Sequence, residues 1–569
     1  MSDKLKGIIA SNGVAIGKLF LFNKEELVID KLSIQDDEKD LHLKKVDEAI
    51  NSYFNDLEYK ENNEKNEEVL NIVRAHKELL QDPYFSDTIK EKIQNENKNA
   101  ELATSETVDQ MVMVMSALDD EYLKERADDY KDIGFQVLCK IKNIVPKDLS
   151  KLDEECIVIS KELTPSDTSN MDKEKVLAFA TDLGGKTSHV SIIAQNLDIP
   201  ALVGMQDIST KIKGDELAII DGNQGVLIIN PSEDEVKEYQ VKIKKENEER
   251  QRLEKVKNLE AKTLDGKVCE VSANIGNIAD LEVAIEHGCD GVGLFRTEFL
   301  YMENDHFPTE EEQFEVYKKA TQMLGEKPLV VRTLDIGGDK GLDYYDFPEE
   351  ENPFLGYRAI RFCLDHQDIF KDQLRALLRA SAYGNLKIML PFVISTDEIK
   401  QTRIILEDLK KDLDKEGIAY NKDIDLGIMV ETSASIIMAD KLIKYSDFFS
   451  IGTNDLTQYT LACDRGNENI SDIYDNFNPA VIRTIKHVID ESHKAGKWTG
   501  MCGQFASDTK ATKLLLGLGL DEFSGSASKL PKVKDIIRNS NFENEEKFAL
   551  TVLDLEDVEE VKESVEKHN

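Results

Sequence analysis

The stretch Asp447-Phe-Phe-Ser-Ile-Gly-Thr-Asn-Asp455 is a short apolar run that ends abruptly in polar residues. Such a run, bounded by Gly and followed by a helical pattern, reads as a buried strand leading into a helix. The same unit recurs along the chain. Apolar runs at 268–275, 291–296, 329–334, 386–393, 425–431, 447–452, 499–502 and 521–525 are each followed by a helical stretch. Eight βα units over residues 262–540 are what a (β/α)8 barrel of the TIM type requires.

In such barrels the active site is built at the C-terminal ends of the strands. The second run ends in Leu294-Phe-Arg296-Thr-Glu298, and the third in Val331-Arg332-Thr-Leu-Asp335, followed by Gly337-Gly-Asp-Lys340. The fifth ends in Met429-Val-Glu431, the sixth in Gly452-Thr-Asn454-Asp455 and the seventh in Met501-Cys502-Gly503. Arg358 and Arg465 follow the third and sixth runs. Arginines gathered at one rim suit a phosphate or carboxylate, whose oxygens match the guanidinium fork. Glu431 and Asp455, from neighbouring strands, suit Mg²⁺, which takes few protein oxygens and shares its shell with substrate and water. Any one of these charges, taken singly, also fits a rim salt bridge. Cys502 reads either as a small buried hydrophobe or, at a strand end, as an acid–base group with a thiol near neutral pKa.

Upstream of the barrel the pattern changes twice. Residues 1–22 hold short strand-like runs, and residues 30–143 follow helical spacing, as in Leu41, Val46, Ile50, Phe54 and Leu57. Residues 144–230 return to short β-rich runs such as Cys156-Ile-Val-Ile159 and Val226-Leu-Ile-Ile229, with one helix expected at about 189–197. The expectation is an α/β domain made of 1–22 and 144–230, interrupted by an inserted helical bundle. Residues 231–261 are charged and poor in apolar side chains, so they read as an exposed linker helix. Residues 541–569 read as an acidic tail.

Gly184-Gly-Lys-Thr-Ser-His189 runs from a glycine loop into that expected helix. A helix start offers free N–H groups to phosphate oxygens and disfavours imidazolium. A neutral His189 there reads as a phosphoryl acceptor, or else as a capping or core histidine. A Walker-type loop is excluded by spacing.

Composition bounds the class. The chain has 569 residues, more than one core supports, with 40% apolar and 32% charged side chains. Seven cysteines, at 139, 156, 269, 289, 363, 463 and 502, show neither disulfide nor zinc spacing. With 72 basic against 111 acidic residues, the net charge of −39 argues against nucleic acid and favours a basic protein partner. No apolar run is long enough to insert in a membrane, and Met1-Ser-Asp-Lys-Leu-Lys6 is no signal peptide, so a cytoplasmic location is expected.

Gly184 to His189, Gly293-Leu-Phe-Arg-Thr-Glu-Phe299, Glu351-Asn-Pro-Phe-Leu-Gly-Tyr-Arg358, Ser450 to Tyr459 and Met501-Cys-Gly503 together resemble Enzyme I of the bacterial phosphoenolpyruvate:sugar phosphotransferase system. The resemblance covers nearly the whole chain in the same domain order. It implies that His189 accepts the phosphoryl group of phosphoenolpyruvate and passes it to the phosphocarrier protein HPr. It implies that Arg296, Arg332, Arg358, Asn454, Asp455 and Arg465 bind the substrate and that Glu431 and Asp455 hold Mg²⁺. Cys502 would protonate the enolate to give pyruvate. The bundle would dock HPr, with Glu67 and Glu68 as contacts, and the barrel would form a homodimer. Ser433, Gln504, Val190 and Asn478 depart from the family pattern, which usually has Pro, Glu, Thr and His there. A pyruvate phosphate dikinase-like or phosphoenolpyruvate synthase-like enzyme shares the phosphohistidine domain and the barrel, but needs a nucleotide-binding domain for which no glycine-rich loop is found. An inactive regulatory relative would have lost site residues, yet all are present.

Overall fold

The computed structural model describes residues 3–22, 27–63, 67–116, 121–144, 149, 152–163, 167, 171–172, 175–185, 190–191, 194, 199–338 and 340–569. They fall into two compact units, Met1–Glu248 and Glu249–Asn569.

The first unit is built on an eight-stranded mixed sheet. Its strands are β1 (Asp3–Lys6), β2 (Ile8–Ser11), β3 (Val14–Leu21), β4 (Cys156–Ser160), β5 (Val176–Thr181), β6 (Ala201–Val203), β7 (Leu217–Asp221) and β8 (Val226–Ile229), in the order β1-β8-β7-β3-β4-β5-β6-β2. The N-terminal strands therefore join this sheet, and β3 pairs directly and in parallel with β4. Every residue of β4 is buried. Alternation sends Ile157 and Ile159 into one core and Cys156 and Val158 into the other, so both faces are covered.

Between β3 and β4 the chain inserts helices α1 (Lys39–Asn63), α2 (Glu67–Gln81), α3 (Pro83–Glu96), α4 (Ala100–Ser116) and α5 (Glu121–Lys142). They enclose a core of their own, including Val46, Tyr53, Phe85, Ile89, Ile93 and Ile133. The break before α3 is local chemistry. Pro83 occupies its first position and the Asp82 carboxylate accepts the Tyr84 N–H at 2.9 Å. Helix α6 (Glu233–Val256) buries no residue, and the division between the units falls within it.

The second unit is a closed parallel barrel. After a short β9 (Ala261–Lys262) come β10 (Val268–Ile275), β11 (Val292–Arg296), β12 (Leu329–Arg332), β13 (Leu386–Leu390), β14 (Leu426–Val430), β15 (Phe449–Ile451), β16 (Thr499–Met501) and β17 (Glu522–Gly525). Each pairs in parallel with the next, and β10 closes the ring against both β17 and β11. All eight expected strands are present. The run expected over 386–393 stops at Leu390 because Pro391 lacks an N–H and Phe392 turns to φ +60°.

Residues 541–569 are not a tail. They form two helices, Phe542–Val552 and Val558–His568, and Ala549, Val552, Val561 and Val565 are buried in the barrel's outer core. The acidic composition hides an apolar stripe at helical spacing, which suffices to bind the segment to the fold. Among the described residues no helix is long and apolar enough to cross a membrane.

Candidate active site

The barrel's strand ends carry a chain of ion pairs, buried at its centre and open to solvent at Arg465. Arg332 and Arg296 end adjacent strands and stand in register. Arg332 Nη2 lies 2.6 Å from Glu298 Oε1, and its Nη1 lies 3.0 Å from Asp335 Oδ2. Lys340 Nζ reaches the same two carboxylates at 2.7 and 3.4 Å. Arg358 Nη2 is 2.8 Å from Asp335 Oδ1 and 3.9 Å from Asp455 Oδ2. Arg465 Nη1 completes the chain at 2.9 Å from Asp455 Oδ1. Asp335 thus faces two arginines and a lysine. Burial opposes its charge, but Arg332, Arg358 and Lys340 outweigh burial and hold its carboxyl far below the usual range. Glu298 is likewise buried yet held low by Arg332 and Lys340. The arginines keep donors to spare, since Arg332 Nε and Arg358 Nη1 are buried without a hydrogen-bond partner. A cluster so built is fixed before an anion arrives.

Glu431 stands opposite. Its Oε1 accepts the Phe392 N–H at 2.7 Å. Burial, then the Asp455 and Asp335 carboxylates, push its carboxyl up to about 8. A Cβ on Gly452 would stand 2.7 Å from Glu431 Oε2, so glycine leaves that oxygen its room. Among the described residues no third His, Cys, Asp or Glu completes a cluster suited to a metal. A cation here would have two protein carboxylates and would complete its shell with water and substrate, which suits Mg²⁺.

Cys502 follows β16 and is 3% exposed. Its side chain packs with Leu294, Met389, Met429 and Phe448 inside the barrel. Burial pushes its thiol up to about 12, against the pull of Ser450 and Arg332. The expectation of a thiol near neutrality is therefore corrected: the lumen is too apolar to stabilise a thiolate, and the group keeps its proton. Asn454 Oδ1 accepts the Gln504 N–H at 3.2 Å, a bond to backbone that the Gln504 side chain does not affect.

The fold thus gathers Arg296, Arg332, Arg358, Glu431, Asn454, Asp455, Arg465 and Cys502 at one barrel mouth. His189 lies outside the described residues, as do the side chains of Glu67 and Glu68 at the start of α2. The sequence pattern marks no role for Glu298, Asp335 or Lys340, although each follows a strand end. Nor does it mark Asn274, whose Nδ2 donates to the Cys502 carbonyl at 2.8 Å, or Phe392, which lies just past a strand.

Comparison with known proteins follows this division of the chain. Residues 6–126 match the family model "PEP-utilising enzyme, N-terminal", residues 152–225 "PEP-utilising enzyme, mobile domain" and residues 250–542 "PEP-utilising enzyme, PEP-binding domain". The class is that of enzymes that use phosphoenolpyruvate (PEP). Full-length relatives carry the name phosphoenolpyruvate-protein phosphotransferase. The one from Listeria innocua is 45% identical over 570 residues and the one from Staphylococcus aureus 46% over 571, each match covering 100% of both chains. That of Haemophilus influenzae is 44% identical, covering 99% of this chain and 98% of its own. A solution structure of an Enzyme I protein matches over 43% of this chain and 99% of its own at 39% identity, with a TM-score of 0.40. The chain belongs to the phosphoenolpyruvate-protein phosphotransferase family.

Proposed function

We propose that the barrel binds phosphoenolpyruvate and that His189 takes its phosphoryl group, releases pyruvate and passes the group to HPr in the cytoplasm, as the first step of sugar uptake. The observation that carries this reading is the buried pairing of Arg332 and Arg358 through Asp335. It holds two cations with spare donors, which supports a site for a phosphate and a carboxylate. Arg296 and Arg465 flank that pair, and Asn454 lies beside it. Glu431 and Asp455 would hold Mg²⁺. When bound, the ion neutralises charge on the phosphoryl group and on the developing enolate. The arginines fix the substrate so that its phosphorus faces an incoming imidazole. The protonated Cys502 is the proton donor to the enolate carbon.

His189 belongs to the first unit and the substrate site to the second, so the phosphoryl group must cross between them. The exposed helix α6 joins the two, and its apolar-poor surface suits a connection that changes orientation during turnover. HPr docking on the inserted bundle, through Glu67 and Glu68, and a homodimer through the barrel complete the reading. The acidic surface favours a basic carrier.

The test is incubation with phosphate-labelled phosphoenolpyruvate and Mg²⁺. Acid-labile, base-stable label on His189 that chases onto added HPr is the expected result. Label drawn only from ATP would instead assign a dikinase-like reaction.

A further inference from the structure

Cys502 loses a proton in each turnover of the proposed reaction and must regain one, yet it is almost wholly buried. The rung beneath it offers a source. Ser450 of β15 pairs with Gly500 of β16, and Gly500 pairs with Glu522 of β17. Gly500 lies two residues before Cys502, so both point into the lumen, about 7 Å apart along the strand. Having no side chain, Gly500 leaves a gap directly under the thiol. The Glu522 carboxyl fills it, because a Cβ on Gly500 would overlap Glu522 Oε2 and one on Gly293 would overlap Oε1. Glu522 is 2% exposed, and its Oε2 has no hydrogen-bond partner. Ser450 Oγ, across the same gap, is also buried and unpartnered, and the hydroxyl is near enough to act on the thiol. Glu522 Oε2 and Ser450 Oγ thus border one hole below the acid, with the unpartnered Ser272 Oγ beside Glu522; they do not bond to each other at rest, so a turn of the free side chains must join them for a proton to pass. Below them the stacked rings of Phe448 and Trp498, 4.5 Å apart, floor the lumen.

We propose that Glu522, acting through Ser450, reprotonates Cys502 after each enolate protonation. The inference rests on the reading of Cys502 as the proton donor. In the first step the Cys502 S–H bond breaks and a C–H bond forms on the enolate, leaving a thiolate. In the second the Ser450 hydroxyl proton moves to Sγ while the Glu522 O–H proton moves to Ser450 Oγ. The resulting carboxylate regains its proton from solvent through Glu270, which pairs with Glu522 on the next strand and is exposed. No redox partner is involved. The groups acting on Glu522 are Glu270, Lys387 and the Ser272 hydroxyl. Burial, then Glu270, push its carboxyl up to about 8, against Ser272 and Lys387, so the proton is in place at neutral pH.

The test is steady-state pyruvate formation with excess HPr, followed from about pH 6 to about pH 10. Wild-type turnover should fall above about pH 8 as Glu522 loses its proton. Glu522→Gln should be slower by about tenfold at pH 7 and lack that fall. A folded Glu522→Gln protein with wild-type turnover and the same alkaline fall overturns the proposal. Should this variant not fold, Ser450→Ala decides, because it removes the relay hydroxyl at the cost of a single buried oxygen atom. Slowed turnover supports the relay, and the wild-type rate refutes it. A wild-type protein that releases no pyruvate fails the underlying function, an outcome distinct from a failed relay.

Discussion

Phe392 donates its backbone N–H to Glu431 Oε1 at 2.7 Å, and its ring lies under the Arg358 guanidinium, 5.0 Å from centroid to carbon. One residue thus touches both halves of the site, the acidic side through its amide and the cationic side through its ring. Its φ of +60° is costly for a bulky side chain and is held by its surroundings. Phe392→Leu should keep the amide contact and lose the ring. A cation–π contact of about 1–2 kcal/mol predicts a KM for phosphoenolpyruvate raised about 5- to 30-fold, with a smaller change in kcat. An unchanged KM would reduce the ring to a packing element.

Asp335 neutralises Arg332, Arg358 and Lys340 at once. Asp335→Asn should leave buried guanidinium groups short of a counter-charge. A loss of about 3–5 kcal/mol in barrel stability is expected, together with loss of activity. Denaturant unfolding monitored by Trp498, the sole tryptophan, reads the barrel alone. A variant as stable as wild type would show that Glu298 suffices to balance the cluster.

The raised carboxyl of Glu431 makes barrel stability depend on pH in a defined direction. Between its ordinary value of 4.5 and about 8, the folded state holds a proton that the unfolded chain does not. The contribution is therefore full below pH 4.5 and is lost as pH rises through about 8. A cation held by Glu431 and Asp455 favours the ionised form, so Mg²⁺ should raise Tm more at pH 8 than at pH 5. Glu431→Gln should abolish that difference. Equal shifts at both pH values would place the bound Mg²⁺ elsewhere.

Removal of residues 541–569 tests the part of the fold that was least legible in the sequence. The barrel strands were legible because parallel strands are buried on both faces and read as unbroken apolar runs, as in Leu426–Val430. The site was legible where charge interrupts such a run, at Arg332, Glu431 and Asp455. Glu298 and Asp335 look like any rim acid until the fold brings cations to them. The apolar side chains that the last two helices bury are few, Ala549 and Val552 in one and Val561 and Val565 in the other, among acids of which Glu545 is itself buried, and composition masks so sparse a stripe. Truncation after Ser540 should expose the Thr512–Leu518 helix, free Lys513 from the carbonyls of His568 and Asn569, and lower Tm by several degrees. An unshifted Tm would return the segment to the status of a tail.

Cys502 supplies the last prediction. A thiol that is 3% exposed and pushed up to about 12 should resist alkylation at neutral pH, where only the thiolate reacts. The other six cysteines are buried as well, so the native protein should stay unlabelled by iodoacetamide, while the unfolded chain takes up seven equivalents. The same high pKa makes Cys502 a proton donor that is always charged with its proton. It also makes its thiolate, once formed, a strong base that draws a proton from the lumen. Cys502→Ala should lower pyruvate formation by about 100-fold while leaving phosphoenolpyruvate affinity near its original value, because the arginines hold the substrate and the thiol acts only on the product side. Pyruvate release at the wild-type rate would show that water reaches the enolate carbon, and that Cys502 serves to fill the lumen among Met389, Met429 and Phe448.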